Sequence, residues 1–228
     1  ALTLNGGTLR GTNGFGQYWD GNITLGAHST IKAANNFYID GVISGSSKNL
    51  TKTGTGTVIL RGTNTYSGTT TVSAGTLNIG GSGSLGSGTY AGNISNSGTF
   101  TYASSTAQTL SGVISGPGAL TKSGSSTLTL SGTNTYIGDT TISAGAITVS
   151  GLLGNGTYAG AIANSGTLTL SSSSAQTLSG VISGSGGITK SGSGNLTLSG
   201  NNTTTGTISL SSGNLIAGSD NALGSAPT

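Results

Sequence analysis

Residues 50–80 read LTKTGTGTVILRGTNTYSGTTTVSAGTLNIG, and the same phrasing returns twice downstream. Its opening, Leu50-Thr51-Lys52, comes back as Leu120-Thr121-Lys122 and as Ile188-Thr189-Lys190. Around it, Gly41-Val42-Ile43-Ser44-Gly45 recurs at residues 112–116 and 180–184, with separations of 71 and 68 residues. Gly62-Thr63-Asn64-Thr65-Tyr66 recurs at 132–136, and Gly88-Thr89-Tyr90-Ala91-Gly92 at 156–160. A module of about 70 residues is therefore present nearly three times, the signature of a repeat architecture.

A shorter beat lies inside the module. Aliphatic or aromatic anchors, most of them followed by Thr, fall at Leu50, Val58, Leu77, Phe100, Leu120, Leu128, Ile147, Leu168, Ile188, Leu196 and Leu215. The dominant step is about 20 residues, and a step of 8 recurs once per module. Many anchors alternate apolar-polar-apolar, as in Leu128-Thr129-Leu130 and Leu168-Thr169-Leu170, which marks a strand with one dry and one wet face. Short strands at this spacing, bounded by Gly, Asn and Ser, predict an all-β chain. The expected fold is a right-handed parallel β-helix, or β-solenoid, with circuits of about 20 residues. Residues 1–40 read as aromatic-rich first circuits or a cap, and 41–228 as three modules, the third incomplete, continuous with it in one domain. A meandering antiparallel barrel or sandwich is the competing architecture, and the step of 8 is what supports it.

Composition agrees. Of 228 residues, 44 are Gly, 39 Thr and 37 Ser, so three small residue types fill more than half the chain. Charged residues are only 5%, where ordinary globular chains carry roughly 25%, so an ordinary enzyme and a helix bundle are both disfavoured. Hydrophobic residues reach 32% and alternate, which sets the chain apart from a disordered linker. Thr suits an outer strand face because it is β-branched and stays wet without charge. The net charge of +3 comes without any basic run, so no nucleic-acid partner is expected. The chain has no Cys, and neither a signal peptide nor an apolar helical span is apparent.

The stretches 50–80 and 120–151 resemble the autotransporter-associated β-strand repeat of bacterial type V secretion proteins, through LTKSG, LTLSGTNTY and TTISAGAITV in the second copy. A third copy, 188–218, keeps ITKSGSGNLTLSG but loses the Tyr at Asn202-Thr203-Thr204-Thr205. Residues 22–44, with NITLGAHSTIKA, resemble what precedes such repeats. The resemblance implies a secreted, surface-displayed parallel β-helix carried by a C-terminal outer-membrane barrel. That barrel partner is implied by the family alone, since the sequence reaches Thr228 without a barrel-like strand series.

Catalytic chemistry finds few candidates. The one His, His28, and the four acids Asp20, Asp40, Asp139 and Asp220 are scattered, so a hydrolytic triad or a metal set is not expected. Asp20 and Asp40 are one circuit apart and would stack; turn residues are the plainer reading. No cofactor is expected. Three candidate surface features remain. Lys52, Lys122 and Lys190 recur at one module position and read either as a basic stripe for anionic glycans or as charges that keep a flat β-surface from self-pairing. Tyr66 and Tyr136, like Tyr90 and Tyr158, occupy equivalent loops, for sugar contact or for loop packing. Phe15, Tyr18, Trp19, Phe37 and Tyr38 crowd the N-terminal part, as a plug for the first circuit or as a ligand site around Trp19.

The expected function is a non-catalytic extracellular scaffold, a rigid passenger stalk or adhesin at the bacterial surface, with cell-surface glycans as candidate partners. A self-assembling fibre, with the protein stacking head to tail on itself, is the alternative. Ice binding is a minor one, weakened by the lysines that interrupt the Thr-rich anchors.

Overall fold

The computed structural model of the chain describes residues 1–12 and 16–224. Phe15 lies outside the described residues. Among the described residues, strands of two to five residues run from Leu2–Leu4 to Leu215–Ala217, joined by turns and by two single-turn 3-10 segments, Gly86–Gly88 and Gly154–Gly156. Every named ladder is parallel, each strand pairing with one about 20 residues away. The chain is a β-solenoid of about 11 turns, and the antiparallel alternative is excluded.

Each turn has three faces. The first turn contributes Leu2–Leu4, Thr8–Gly11 and Gln17–Trp19, which pair with Ile23–Leu25, Ser29–Ala33 and Phe37–Ile39 of the second. One face carries a continuous nine-stranded sheet; a six-stranded and a seven-stranded sheet lie on the other two. The anchors stack where the alternation requires. Phe37, Val58, Leu77, Phe100 and Leu120 form one inward column, and Leu128, Ile147, Leu168 and Ile188 another. Nearly all of these side chains are sealed from solvent, in one cluster running the length of the coil. Each buried aliphatic side chain contributes about 1.5–3 kcal/mol, so stability accrues turn by turn.

The module and the turn are out of phase. Leu50–Thr53 lies in the six-stranded sheet, its equivalent Ala119–Lys122 in the nine-stranded, and Gly187–Lys190 in the seven-stranded. About 70 residues make three turns and one face more, so each module repeats the same sequence rotated by one face. Corners bring backbones into contact, and there only Gly fits. A Cβ at Gly112 would lie 2.3 Å from the carbonyl oxygen of Gly92 one turn before, and one at Gly132 the same distance from that of Gly112.

Candidate functional site

Strand alternation places Lys52 two residues after Leu50, hence on the inner side, and the chain then turns at Gly54. The Lys52 ammonium donates to the carbonyl oxygens of Thr53 (3.1 Å), Gly54 (2.6 Å) and, one turn on, Ala74 (2.8 Å). Gly75, held at φ +65°, closes over it: a Cβ there would sit 2.8 Å from Lys52 Nζ. The device recurs. Lys122 donates to the Gly124 carbonyl beneath Gly145, and Lys190 to the carbonyls of Gly192 and Ser212 (3.2 Å) beneath Gly213. All three lysines are buried. Burial pulls the pKa of Lys52 down to about 8 and lowers that of Lys122, because the charged form loses water and gains only carbonyl dipoles.

Both surface readings of these lysines are therefore corrected. Lys52, Lys122 and Lys190 neither form a stripe for glycans nor guard an outer surface, because they point inward, and the phase of the module puts them on three different faces.

Tyr66 and Tyr136 are also inside, with no exposed surface. Tyr66 and Tyr90 both bond Thr70 Oγ1, at 2.9 and 2.7 Å, and the Tyr90 hydroxyl donates to the Gly68 carbonyl. Tyr136, Thr140 and Tyr158 repeat the arrangement at 2.8 Å for both contacts, with Tyr158 donating to Gly138. The rings pack edge-on or tilted, their centroids 5.7 and 5.3 Å apart. Burial pushes Tyr66 and Tyr136 well above the usual phenol range and Tyr90 and Tyr158 up to about 12. Sugar contact at Tyr66 and Tyr136 is ruled out by this enclosure; loop packing is the correct alternative.

Sequence reasoning missed the amides. Asn64 accepts from Ile43 N–H and donates to the carbonyls of Gly62 and Ser84, tying three successive turns. Asn134 does the same for Ile114, Gly132 and Leu152, and Asn202 for Ile182 and Ala222. Gln108 and Gln176 bracket the backbones of Leu85 and Leu153 in the same manner. Strand alternation gives no signal for Asn64, since residues 64–67 form no strand, and the inner side that Asn64 and Tyr66 share emerges only from the turn.

Outward residues are mostly hydroxyls. On the seven-stranded sheet Thr89, Thr109, Thr129, Thr148, Thr169 and Thr189 stand in one register column. Ser111, Ser131, Ser150, Ser171 and Ser191 continue the ladder two residues further along each turn. With the lysines inside, nothing charged interrupts these columns, so the objection raised against an ordered Thr array does not hold.

The N-terminal turns differ. Trp19 is half-buried against the first core residues, in the inward column that continues as Ile39 and Leu60. Tyr18 and Tyr38 stack on the outer face, centroids 4.6 Å apart, and the Arg61 guanidinium lies 5.4 and 5.0 Å from their ring centres. Asp40 is one register step from Asp20, but its carboxylate is held by Arg61 through two bonds of 2.6 and 2.7 Å. His28 is exposed, its Nδ1 accepting from Asn49 N–H at 3.0 Å. Among the described residues no group of three or more His, Cys, Asp or Glu side chains converges.

Residues 50–79, 120–149 and 188–217 match the family model of the passenger-associated-transport-repeat. They are the three segments that carried the sequence resemblance to autotransporter passengers. No curated protein and no solved structure matches the chain.

Proposed function

We propose that these three passenger repeats build a rigid, non-catalytic stalk within an autotransporter passenger displayed at the cell surface. The observation that carries this reading is where the module's recurring polar side chains go. Lys52, Asn64, Tyr66 and Thr70, with their equivalents one module on, are all turned inward, and Lys52, Asn64, Thr70, Asn134 and Thr140 bond across to the next turn. A module selected for catalysis would repeat its Lys, Asn and Tyr side chains on the outside; this one repeats them inside and leaves mainly hydroxyls outward. Ladders on three faces bond each turn to its neighbours, so bending or local opening breaks several contacts at once.

Limited trypsin digestion tests the reading. Lys122 and Lys190 are buried mid-coil, whereas Arg10 and Lys32 are exposed near the N-terminus. A stiff stalk is cut near the N-terminus and spared at Lys122 and Lys190 until it is denatured. Cleavage at all four sites at similar rates contradicts it.

A second reading rests on the Thr and Ser columns of the seven-stranded sheet. Hydroxyls repeating at about 4.8 Å along a flat sheet suit the ordering of water at an ice surface. Thermal hysteresis in the purified protein supports that reading, and its absence at high protein concentration removes it.

A further inference from the structure

One group of outward residues that break the hydroxyl pattern lies together on the nine-stranded sheet. At module positions where the second copy has Thr129, Ser131 and Thr148, the first has Ile59, Arg61 and Asn78. In the nine-stranded sheet Ile59 and Asn78 follow Tyr18 and Tyr38 in a single register column, and Arg61 stands in the column beside it, followed by Gly80. Asn64, Tyr66 and Thr70 make the same internal bonds as Asn134, Tyr136 and Thr140, so the substitutions change the outer surface and not these ties.

Together they shape a trough of about 540 Å³, bounded by Asn36, Tyr38, Ile59, Arg61, Asn78 and Gly80, within the size range of small-molecule sites. Gly80 makes the depression: below Arg61 the column has no side chain, and a Cβ there would press on Ile59 Cγ2 at 3.0 Å. Outward-facing Ile59 lies at the bottom but keeps only 6% of its surface exposed, so the lining is mainly the polar side chains of Asn36, Thr57, Thr76 and Asn78. Asn78 Oδ1 is sealed in the wall without a hydrogen-bond partner, an unfavourable state that rotation of the amide toward the trough would relieve. Asp40 takes Nε and one terminal nitrogen of Arg61 and neutralises its charge, which leaves the other terminal nitrogen as an uncommitted donor.

We infer that this trough is a binding site for a neutral oligosaccharide. Sugar hydroxyls both donate and accept, and the lining offers the same mixture around Tyr38: the amides of Asn36 and Asn78, the hydroxyls of Thr57 and Thr76, and a donor at Arg61. The balanced charge of the Arg61–Asp40 pair favours an uncharged ligand over a sulfated or sialylated one. A peptide strand is disfavoured because the trough lies across a fully paired sheet, with no free edge for main-chain bonds.

The test is titration of the intact chain, followed by ligand-observed NMR, with cellotetraose, maltotetraose, chitotetraose and lactose, after a printed array of neutral and acidic glycans. Saturable binding of at least one neutral glycan is expected, weakened tenfold or more in Asn78→Leu. Thr148→Leu, the same change at the equivalent position of the second module, should leave it intact. If Asn78→Leu fails to fold, Arg61→Ser, which installs the residue the second module carries, is expected to give the same loss. Absence of saturable binding to every neutral glycan overturns the proposal, as does equal binding by both folded variants. Trypsin resistance at Lys122 and Lys190, read on the same preparations, reports on the stalk separately, so either idea can fail while the other stands.

Discussion

The ammonium of Lys52 donates to the carbonyl oxygen of Ala74, 2.8 Å away and one turn further along the coil. A cation that strand alternation sends into an apolar interior is thereby converted into a staple between turns. Removing it in Lys52→Ala leaves the carbonyls of Gly54 and Ala74 unpaired and opens a cavity. A loss of about 1–3 kcal/mol is expected, measured by chemical denaturation. Lys122→Ala should cost less, because Lys122 donates to the Gly124 carbonyl alone and makes no bond to the next turn.

Thr140 joins the hydroxyls of Tyr136 and Tyr158, both at 2.8 Å. Thr140→Val keeps the shape and removes the shared partner, leaving two buried phenols short of a bond. A loss of about 1–2 kcal/mol follows, whereas Thr141→Val, on the outer face of the same strand, should change stability by less than about 0.5 kcal/mol. Thermal unfolding of the two variants makes the comparison.

The same phenols fix the response to alkali. Their folded-state pKa values lie above the unfolded value of 10, at about 12 for Tyr90 and Tyr158. The folded chain therefore holds more protons than the unfolded one above pH 10, and stability falls as pH rises through that window. Below pH 10 these groups contribute no slope. Lys52, lowered to about 8, acts in the opposite sense, adding stability between about pH 8 and 10.5. Denaturation midpoints across pH 7–12 should rise slightly and then drop, and the drop should shrink in Tyr66→Phe/Tyr136→Phe if that variant folds.

Gly112 has no room for a side chain, since its Cβ would fall 2.3 Å from the Gly92 carbonyl oxygen. Gly112→Ala must push two turns apart. It is expected to cost more than about 2 kcal/mol, beyond the usual range for a surface-loop substitution, while Ser111→Ala next to it is nearly neutral by the same denaturation assay.

Much of the fold is legible in the residues. The step of about 20 and the alternation in Leu128-Thr129-Leu130 suffice for stacked parallel turns, and the column through Ile147, Leu168 and Ile188 stands as that reading requires. The internal ties are hidden for a different reason. Lys is so rarely buried that its charge outweighs its position, although Leu120 and Lys122, two apart, must share a face. Tyr66 and Tyr136 lie in segments that resemble exposed loops, and only the three-dimensional turn encloses them. The rotation of each module by one face escapes a linear reading altogether, because it depends on the fractional number of turns in about 70 residues. The trough is illegible for the same cause: Tyr38, Ile59 and Asn78 become neighbours only when the register is known.

That register is the claim on which everything else depends, and the absence of native Cys allows a direct measurement. Thr129 and Thr148 are register partners on adjacent turns, at a strand spacing of about 4.8 Å that falls within disulfide reach. Thr129 and Thr169 are two turns apart. Under mild oxidation Thr129→Cys/Thr148→Cys should cross-link rapidly in the native state, and Thr129→Cys/Thr169→Cys should not. Equal cross-linking of both pairs, or of the second alone, contradicts the stacked coil.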